Sequence, residues 1–206
     1  MNKVNMFLKS RLAHIISSGF LGSIYIVFAY AHVSSFLKTH EITWLLFSLS
    51  ESLLVFFYIF RTRPNTISVE FFDWLIAIIG TFAPLFFRPA EWGVLPIAKY
   101  AIIVGTVFQI MGVLSLNRSF ALVAACRSIK TKWMYGIVRH PIYASYCLIF
   151  LGYVLSSTTV ANVVVYSVSM IFLMLRLFRE EKHLALDPLY RQYQLKVRYR
   201  LIPYVI

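Results

Sequence analysis

The sequence has little charge for its length and few cysteines. Of its 206 residues, 14% are charged and 60% are hydrophobic, whereas soluble domains average about 25% charged and 45–50% apolar residues. This composition excludes an ordinary soluble domain. The two cysteines, Cys126 and Cys147, have neither the pattern of a disulfide framework nor the spacing of metal ligands. We therefore expect no structural disulfide and no metal site, and no internal repeat divides the chain.

Long apolar runs dominate the chain instead. A membrane-spanning helix needs about 20 mainly apolar residues, and six segments meet or approach that length. We predict an all-α fold, a multi-pass transmembrane helical bundle with spans at residues 13–37, 42–60, 71–87, 94–116, 142–155 and 158–178. The first run resembles a signal peptide but is longer than such peptides usually are, so we interpret it as a membrane helix.

The fifth of these segments is short for a membrane span. Its 14 residues reach only about 21 Å as a helix. It therefore crosses a thinned bilayer, packs inside the bundle, or forms one arm of a re-entrant hairpin with the sixth segment.

The basic residues are distributed asymmetrically between the predicted spans. The net charge is +12, and 17 of the 20 Lys and Arg residues fall on one side of a six-span topology. The exceptions are Lys38, Arg88 and Lys99. Because cytoplasmic loops are enriched in Lys and Arg, this asymmetry places both termini in the cytoplasm. It also explains the positive charge by topology and by contact with anionic membrane lipids, without a nucleic-acid partner.

Two predicted cytoplasmic stretches are long enough to carry chemistry, residues 117–141 and residues from about 179 to 206. We divide the chain into an N-terminal four-helix membrane region, 1–116, and a C-terminal region, 117–206, that contains a loop, a helical hairpin and a tail. The hairpin would bring residues around 139–146 and 176–183 to the same face of the membrane.

The first candidate cluster is Arg139-His140-Pro141, followed by Tyr143 and Tyr146. Proline is favoured at the first position of a helix, so Pro141 would begin the fifth helix and leave Arg139 and His140 at its positive end. Such an end can bind a carboxylate or a phosphate, and the two tyrosines could contact an adenine or a cation. The alternative is contact of the basic residues with headgroups and an interfacial tyrosine belt.

The second candidate cluster follows the sixth apolar run without a break. Helical spacing places Arg176, Glu180 and His183 on one face, with Glu181 about 100° away from Glu180. The two carboxylates should therefore have different partners, and such a pair can hold a cationic ligand. The alternative is a surface ion pair between Glu180 and Arg176 of a few tenths of a kcal/mol.

Together these clusters resemble the isoprenylcysteine carboxyl methyltransferases and the related membrane phospholipid N-methyltransferases. The resemblance covers about residues 117–203. It rests on Arg139-His140-Pro141-Ile142-Tyr143, Glu180-Glu181, Tyr190 and Tyr193, and Ile202-Pro203. It implies methyl transfer from S-adenosylmethionine, bound by a cytoplasmic loop, hairpin and tail, to a lipid-like or prenylated acceptor that arrives from the membrane.

The resemblance also implies roles for particular residues. It assigns catalytic roles to Arg139, Glu180 and Glu181. It assigns cofactor binding to Tyr135, His140, Pro141, Tyr143, Glu180, Glu181 and His183.

The identity of the acceptor stays open between a carboxylate and an amine. A carboxylate is already ionised at pH 7 and attacks a sulfonium without a general base, whereas an ammonium must first lose a proton. We favour the carboxylate. Two different functions also stay open. One is a membrane reductase that uses NADPH, and the second is a transporter or non-catalytic component in which Glu51, an ionisable residue in the middle of the second span, would be functional.

Overall fold

The computed structural model describes residues 11–60, 66–67, 70–88, 90, 92–116, 125–126 and 129–205. Its helices are α1 (Arg11–Thr39), α2 (Ile42–Ile59), α3 (Phe71–Phe82), α4 (Lys99–Leu116), α5 (Pro141–Ser156), α6 (Val160–Leu184) and α7 (Pro188–Lys196). Short 3-10 turns cover Ala83–Phe86, Pro96–Ala98 and Trp133–Gly136. The two-residue strands β1 (Thr66–Ile67) and β2 (Ala125–Cys126) form one antiparallel pair. The predicted all-α helical bundle is confirmed.

Each of the six predicted spans coincides with one helix. Within the described ranges, three segments are long and apolar enough to cross a membrane, namely Ile15–Thr39, Pro96–Leu116 and Val160–Leu184. Two further apolar helical segments, Phe71–Phe86 and Pro141–Ser156, are shorter. The protein is therefore an integral membrane protein, while the cytoplasmic location of its termini stays a prediction.

Three helix ends differ by more than four residues from the predicted ends of the spans. Helix α4 begins at Lys99, after the 3-10 turn Pro96–Ala98, and not at residue 94. Helix α3 stops at Phe82 and continues as a 3-10 turn, because Pro84 has no N–H to donate to the carbonyl one turn earlier. Helix α6 continues six residues beyond the predicted end at 178, to Leu184. Residues 179–184 are polar enough to end a hydropathy-based span, but Arg, Glu, Lys and Leu are good helix formers.

Helices α4 and α5 pack closely because glycines lie at their interface. A Cβ atom at Gly105 would lie 2.7 Å from Ile149 Cγ1, and one at Gly152 would lie 2.9 Å from the Ala98 carbonyl oxygen. Small residues let helix backbones approach in membranes, where dispersion contacts drive association. This interface positions the first arm of the hairpin formed by α5 and α6.

The second arm of the hairpin, α6, forms ion pairs with the beginning of α3. Arg179 donates from Nε to Asp73 and from Nη2 to Glu70, at 2.5 and 2.6 Å. At the opposite end of the hairpin, the buried Asn162 side chain donates to the Ser157 and Arg88 carbonyls at 2.7 and 2.8 Å. Helix α6 is therefore held at both ends.

Candidate functional site

The Arg-His-Pro sequence forms the beginning of α5. Pro141 is the first residue of the helix and His140 is its N-cap, so the prediction that Pro141 begins this helix is confirmed. Arg139 and His140 are buried. Their burial requires partners inside the protein, because an unpaired buried charge is costly.

Residues 197–205, called the tail below, supply some of these partners. The backbone N–H groups of Arg139 and His140 donate to the Tyr199 and Arg200 carbonyls at 2.9 and 2.8 Å. The Arg139 guanidinium donates through Nη1 to the Val197 and Arg198 carbonyls at 2.8 and 2.7 Å. The tail thus lies against the beginning of α5 and covers Arg139.

Glu181 joins α6 to both of these segments. Its Oε1 accepts from Arg139 Nε at 2.6 Å and lies 3.2 Å from His140 Nε2, and its Oε2 accepts from Arg200 Nε at 2.7 Å. The carboxylate is buried and is compensated by two guanidinium groups and an imidazole. Glu181 therefore connects the two hairpin arms and the tail at one point.

Glu180 faces a different set of groups, as the helical spacing predicts. Its Oε2 accepts from the Tyr143 hydroxyl at 2.5 Å. The Arg176 guanidinium lies over the Tyr143 ring, with Cζ 5.6 Å from the ring centre, and donates to Thr81 Oγ1 at 3.3 Å. The prediction that the two acids have different partners is confirmed. One face of the Tyr143 ring is occupied by a cation of the protein itself.

Two tyrosines of α7 lie beside these clusters. Tyr190 and Tyr193 are buried and pack with Val197 against Ile129. Burial raises the pKa of both phenols above the ordinary value, so both are protonated at neutral pH. Tyr193 donates to the Tyr135 carbonyl at 2.7 Å, whereas the Tyr190 hydroxyl has no hydrogen-bond partner among the described residues.

The remaining predicted residues lie on three different elements. Tyr135 lies in the 3-10 turn Trp133–Gly136, where burial and the nearby Glu180 carboxylate raise the pKa of its phenol above the ordinary value. His183 is half-buried near the end of α6, about 200° around the helix from Glu181. Glu51 lies in α2, but its side chain is outside the described residues. In the part of the chain that the structure describes, no group of three His, Cys, Asp or Glu side chains is placed to hold a metal ion.

Two arginines contribute to these clusters although the resemblance assigns them no role. Arg200 is one of many basic residues of the predicted cytoplasmic face, and no local pattern distinguishes it from Arg198. Arg176 carries a clearer signal, because it lies one helical turn before Glu180 on an otherwise apolar segment. Its spacing favours a surface ion pair with Glu180, and the structure instead places it against Tyr143 and Thr81.

The family model for phospholipid methyltransferases matches residues 93–191. The matched segment includes α4, the whole hairpin with both sequence clusters, and α7 as far as Arg191. No curated protein matches the chain. The family match confirms the resemblance drawn from Arg139–Tyr143 and the acidic pair. Residues 93–191, just under half of the chain, therefore match the phospholipid methyltransferase family.

Proposed function

We propose that the protein transfers the methyl group of S-adenosylmethionine to a lipid-like or prenylated acceptor, and that the accepting group is a carboxylate. The family match supports a membrane methyltransferase as the general activity. The observation that carries the proposal is the direct contact between the two remote sequence clusters, where Glu181 meets Arg139 and His140, and Glu180 meets Tyr143.

The residues around this contact fit a cofactor with polar and cationic groups. The Tyr190 hydroxyl is buried without a partner among the described residues, and a buried hydroxyl normally has one. Glu180 Oε1 also makes no hydrogen bond with those residues, since Tyr143 occupies only Oε2. These two groups, together with His140 and Tyr143, would hold S-adenosylmethionine, which supplies an electrophilic methyl group on a sulfonium.

The two acids would have different tasks in this proposal. Glu180 keeps one carboxylate oxygen available and would contact the bound S-adenosylmethionine. Glu181 and Arg139 are fully engaged with each other and with the tail, so they would act by holding His140 and the hairpin in place. Tyr135, Pro141 and His183 remain candidates for contact with the cofactor.

The charges favour an anionic acceptor. Three arginines, Arg139, Arg176 and Arg200, lie in or beside the contacts of Glu180 and Glu181. Arg176 is the one that lies on the Glu180 and Tyr143 side, where it would attract and orient a carboxylate. Attack of that carboxylate on a sulfonium neutralises opposite charges, which a site of low dielectric favours, and alignment of the two reactants would supply much of the rate.

A second candidate acceptor is a phospholipid amine. It is favoured by the description of the matched family, and Glu180 offers a carboxylate that could take the proton that an ammonium must lose. Membranes containing the protein should be incubated with methyl-labelled S-adenosylmethionine. Label in a base-labile ester would support the carboxylate acceptor, and label in a base-stable headgroup amine would support the amine.

Cofactor binding can be tested separately on the purified protein in detergent. S-adenosylhomocysteine should raise its melting temperature, and Glu180→Gln should weaken this effect. Glu41→Gln is the matched control, because the Glu41 side chain makes, among the described residues, an exposed ion pair with Lys99 and no other. Stabilisation by NADPH instead would support a reductase, and stabilisation by neither ligand would favour a non-catalytic membrane component.

A further inference from the structure

Helix α7 and the turn before it expose several leucines. Leu186, Leu189 and Leu195 are 76%, 64% and 79% exposed. They lie outside the buried face of α7, where Tyr190 and Tyr193 pack against the rest of the protein. Helical spacing separates Leu189 and Leu195 by about 120°, so the leucines lie toward the two edges of the exposed side of α7, which the described residues leave uncovered.

Basic residues share this surface with the leucines. Arg191 and Lys196 are exposed on α7, and helical spacing places Arg191 about 40° from Leu195 and Lys196 about 20° from Leu189. The only acidic residue between positions 185 and 205 is Asp187, whose carboxylate accepts from the Leu189 N–H as the helix cap. Apolar and basic side chains without acids are complementary to an anionic lipid surface.

The position of α7 in the chain keeps it beside the membrane. The candidate span Val160–Leu184 ends four residues before Pro188 begins α7. The four steps of the chain from Leu184 to Pro188 can extend over at most about 14 Å. Helix α7 therefore cannot lie far from the membrane face at which α6 ends.

We propose that the surface formed by Leu186, Leu189, Arg191, Leu195 and Lys196, called the α7 surface, lies in the headgroup region of an anionic leaflet. The leucines reach the boundary of the acyl chains, and the two basic side chains extend to lipid phosphates. The opposite side of α7 continues to hold Tyr193 against the Tyr135 carbonyl. This proposal concerns the location of α7 and does not depend on methyl transfer.

The test uses the full chain in bilayers of phosphatidylcholine with or without phosphatidylglycerol. Single cysteines at Leu189 or Leu195, in a Cys126→Ser/Cys147→Ser background, are labelled with bimane. Lipids that carry a nitroxide near the headgroup or deep in the acyl chains then serve as quenchers. Ile171→Cys is the control for a membrane-embedded position, because Ile171 is 58% exposed within α6.

The proposal predicts that both α7 labels are quenched by the shallow nitroxide, more strongly in the presence of phosphatidylglycerol, while the Ile171 label is quenched by the deep one. Arg191→Gln/Lys196→Gln should remove most of the dependence on anionic lipid. Labels that remain in water at both α7 positions would overturn the proposal. So would labels that are shielded from water but not quenched by lipid, since a second copy or another protein would then cover the surface.

Discussion

The Arg139 guanidinium and the Glu181 carboxylate are 42 residues apart in the sequence and 2.6 Å apart in the structure. Both side chains are buried. Because Glu181 also accepts from Arg200, this contact joins both arms of the hairpin and the tail. The pair is thus central to the arrangement of the candidate site, whatever its ligand.

Glu181→Gln should therefore destabilise the protein strongly. The substitution leaves the buried Arg139 guanidinium without its counter-charge, and breaking a buried ion pair in this way costs about 3–5 kcal/mol. Glu41→Gln, which removes an exposed pair with Lys99, should cost about 0–1 kcal/mol. Unfolding curves in detergent compare the two variants, and equal melting temperatures would contradict the central role of Glu181.

The acceptor proposal predicts a specific effect of Arg176→Gln. This guanidinium lies over the Tyr143 ring, and its loss should raise the KM for a carboxylate acceptor at least about tenfold, a typical scale for a charge-assisted bond. Affinity for S-adenosylhomocysteine should stay nearly constant. The control is Arg179→Gln on the same helix, because Arg179 binds Asp73 and Glu70 instead. Loss of affinity for S-adenosylhomocysteine without a change in the KM for the acceptor would assign Arg176 to the cofactor and not to the acceptor.

The buried phenols of α7 predict a loss of stability in alkaline solution. Their folded-state pKa values are raised by burial, so the folded protein keeps protons that the unfolded chain releases above pH about 10. Stability from these groups is therefore complete below pH about 10 and falls as the pH rises further. The melting temperature of Tyr190→Phe/Tyr193→Phe should decrease less steeply with pH above about 10. If it decreases as steeply as in the unmodified protein, ionisation of these two phenols is not the cause of the alkaline loss of stability.

Packing between α4 and α5 predicts opposite effects of two glycine substitutions. In Gly152→Ala the new methyl group would lie 2.9 Å from the Ala98 carbonyl oxygen, and overpacking of this kind costs about 1–3 kcal/mol. In Gly22→Ala no heavy atom lies within 4 Å of the new methyl group, so its higher helix propensity should stabilise by up to about 1 kcal/mol. Equal stability of the two variants would indicate that the helices adjust freely.

The sequence predicted the helices well because each apolar run has a clear length and clear ends. It also predicted that Pro141 begins α5 and that Glu180 and Glu181 face different partners, since both follow from the rules of a single helix. The sequence could not predict that Arg200 binds Glu181 or that Arg176 lies over the Tyr143 ring. Those contacts depend on how the tail and α3 pack against the hairpin, which no local spacing encodes.

The joining of the tail to Arg139 and His140 has a consequence for biosynthesis. A ribosome makes both hairpin arms before Arg200, so the hairpin can enter the bilayer while Glu181 still lacks one of its cations. Only after Arg200 has left the exit tunnel can all four side chains of this cluster meet. Released chains truncated just before Arg200 should therefore contain an inserted but loosely closed hairpin.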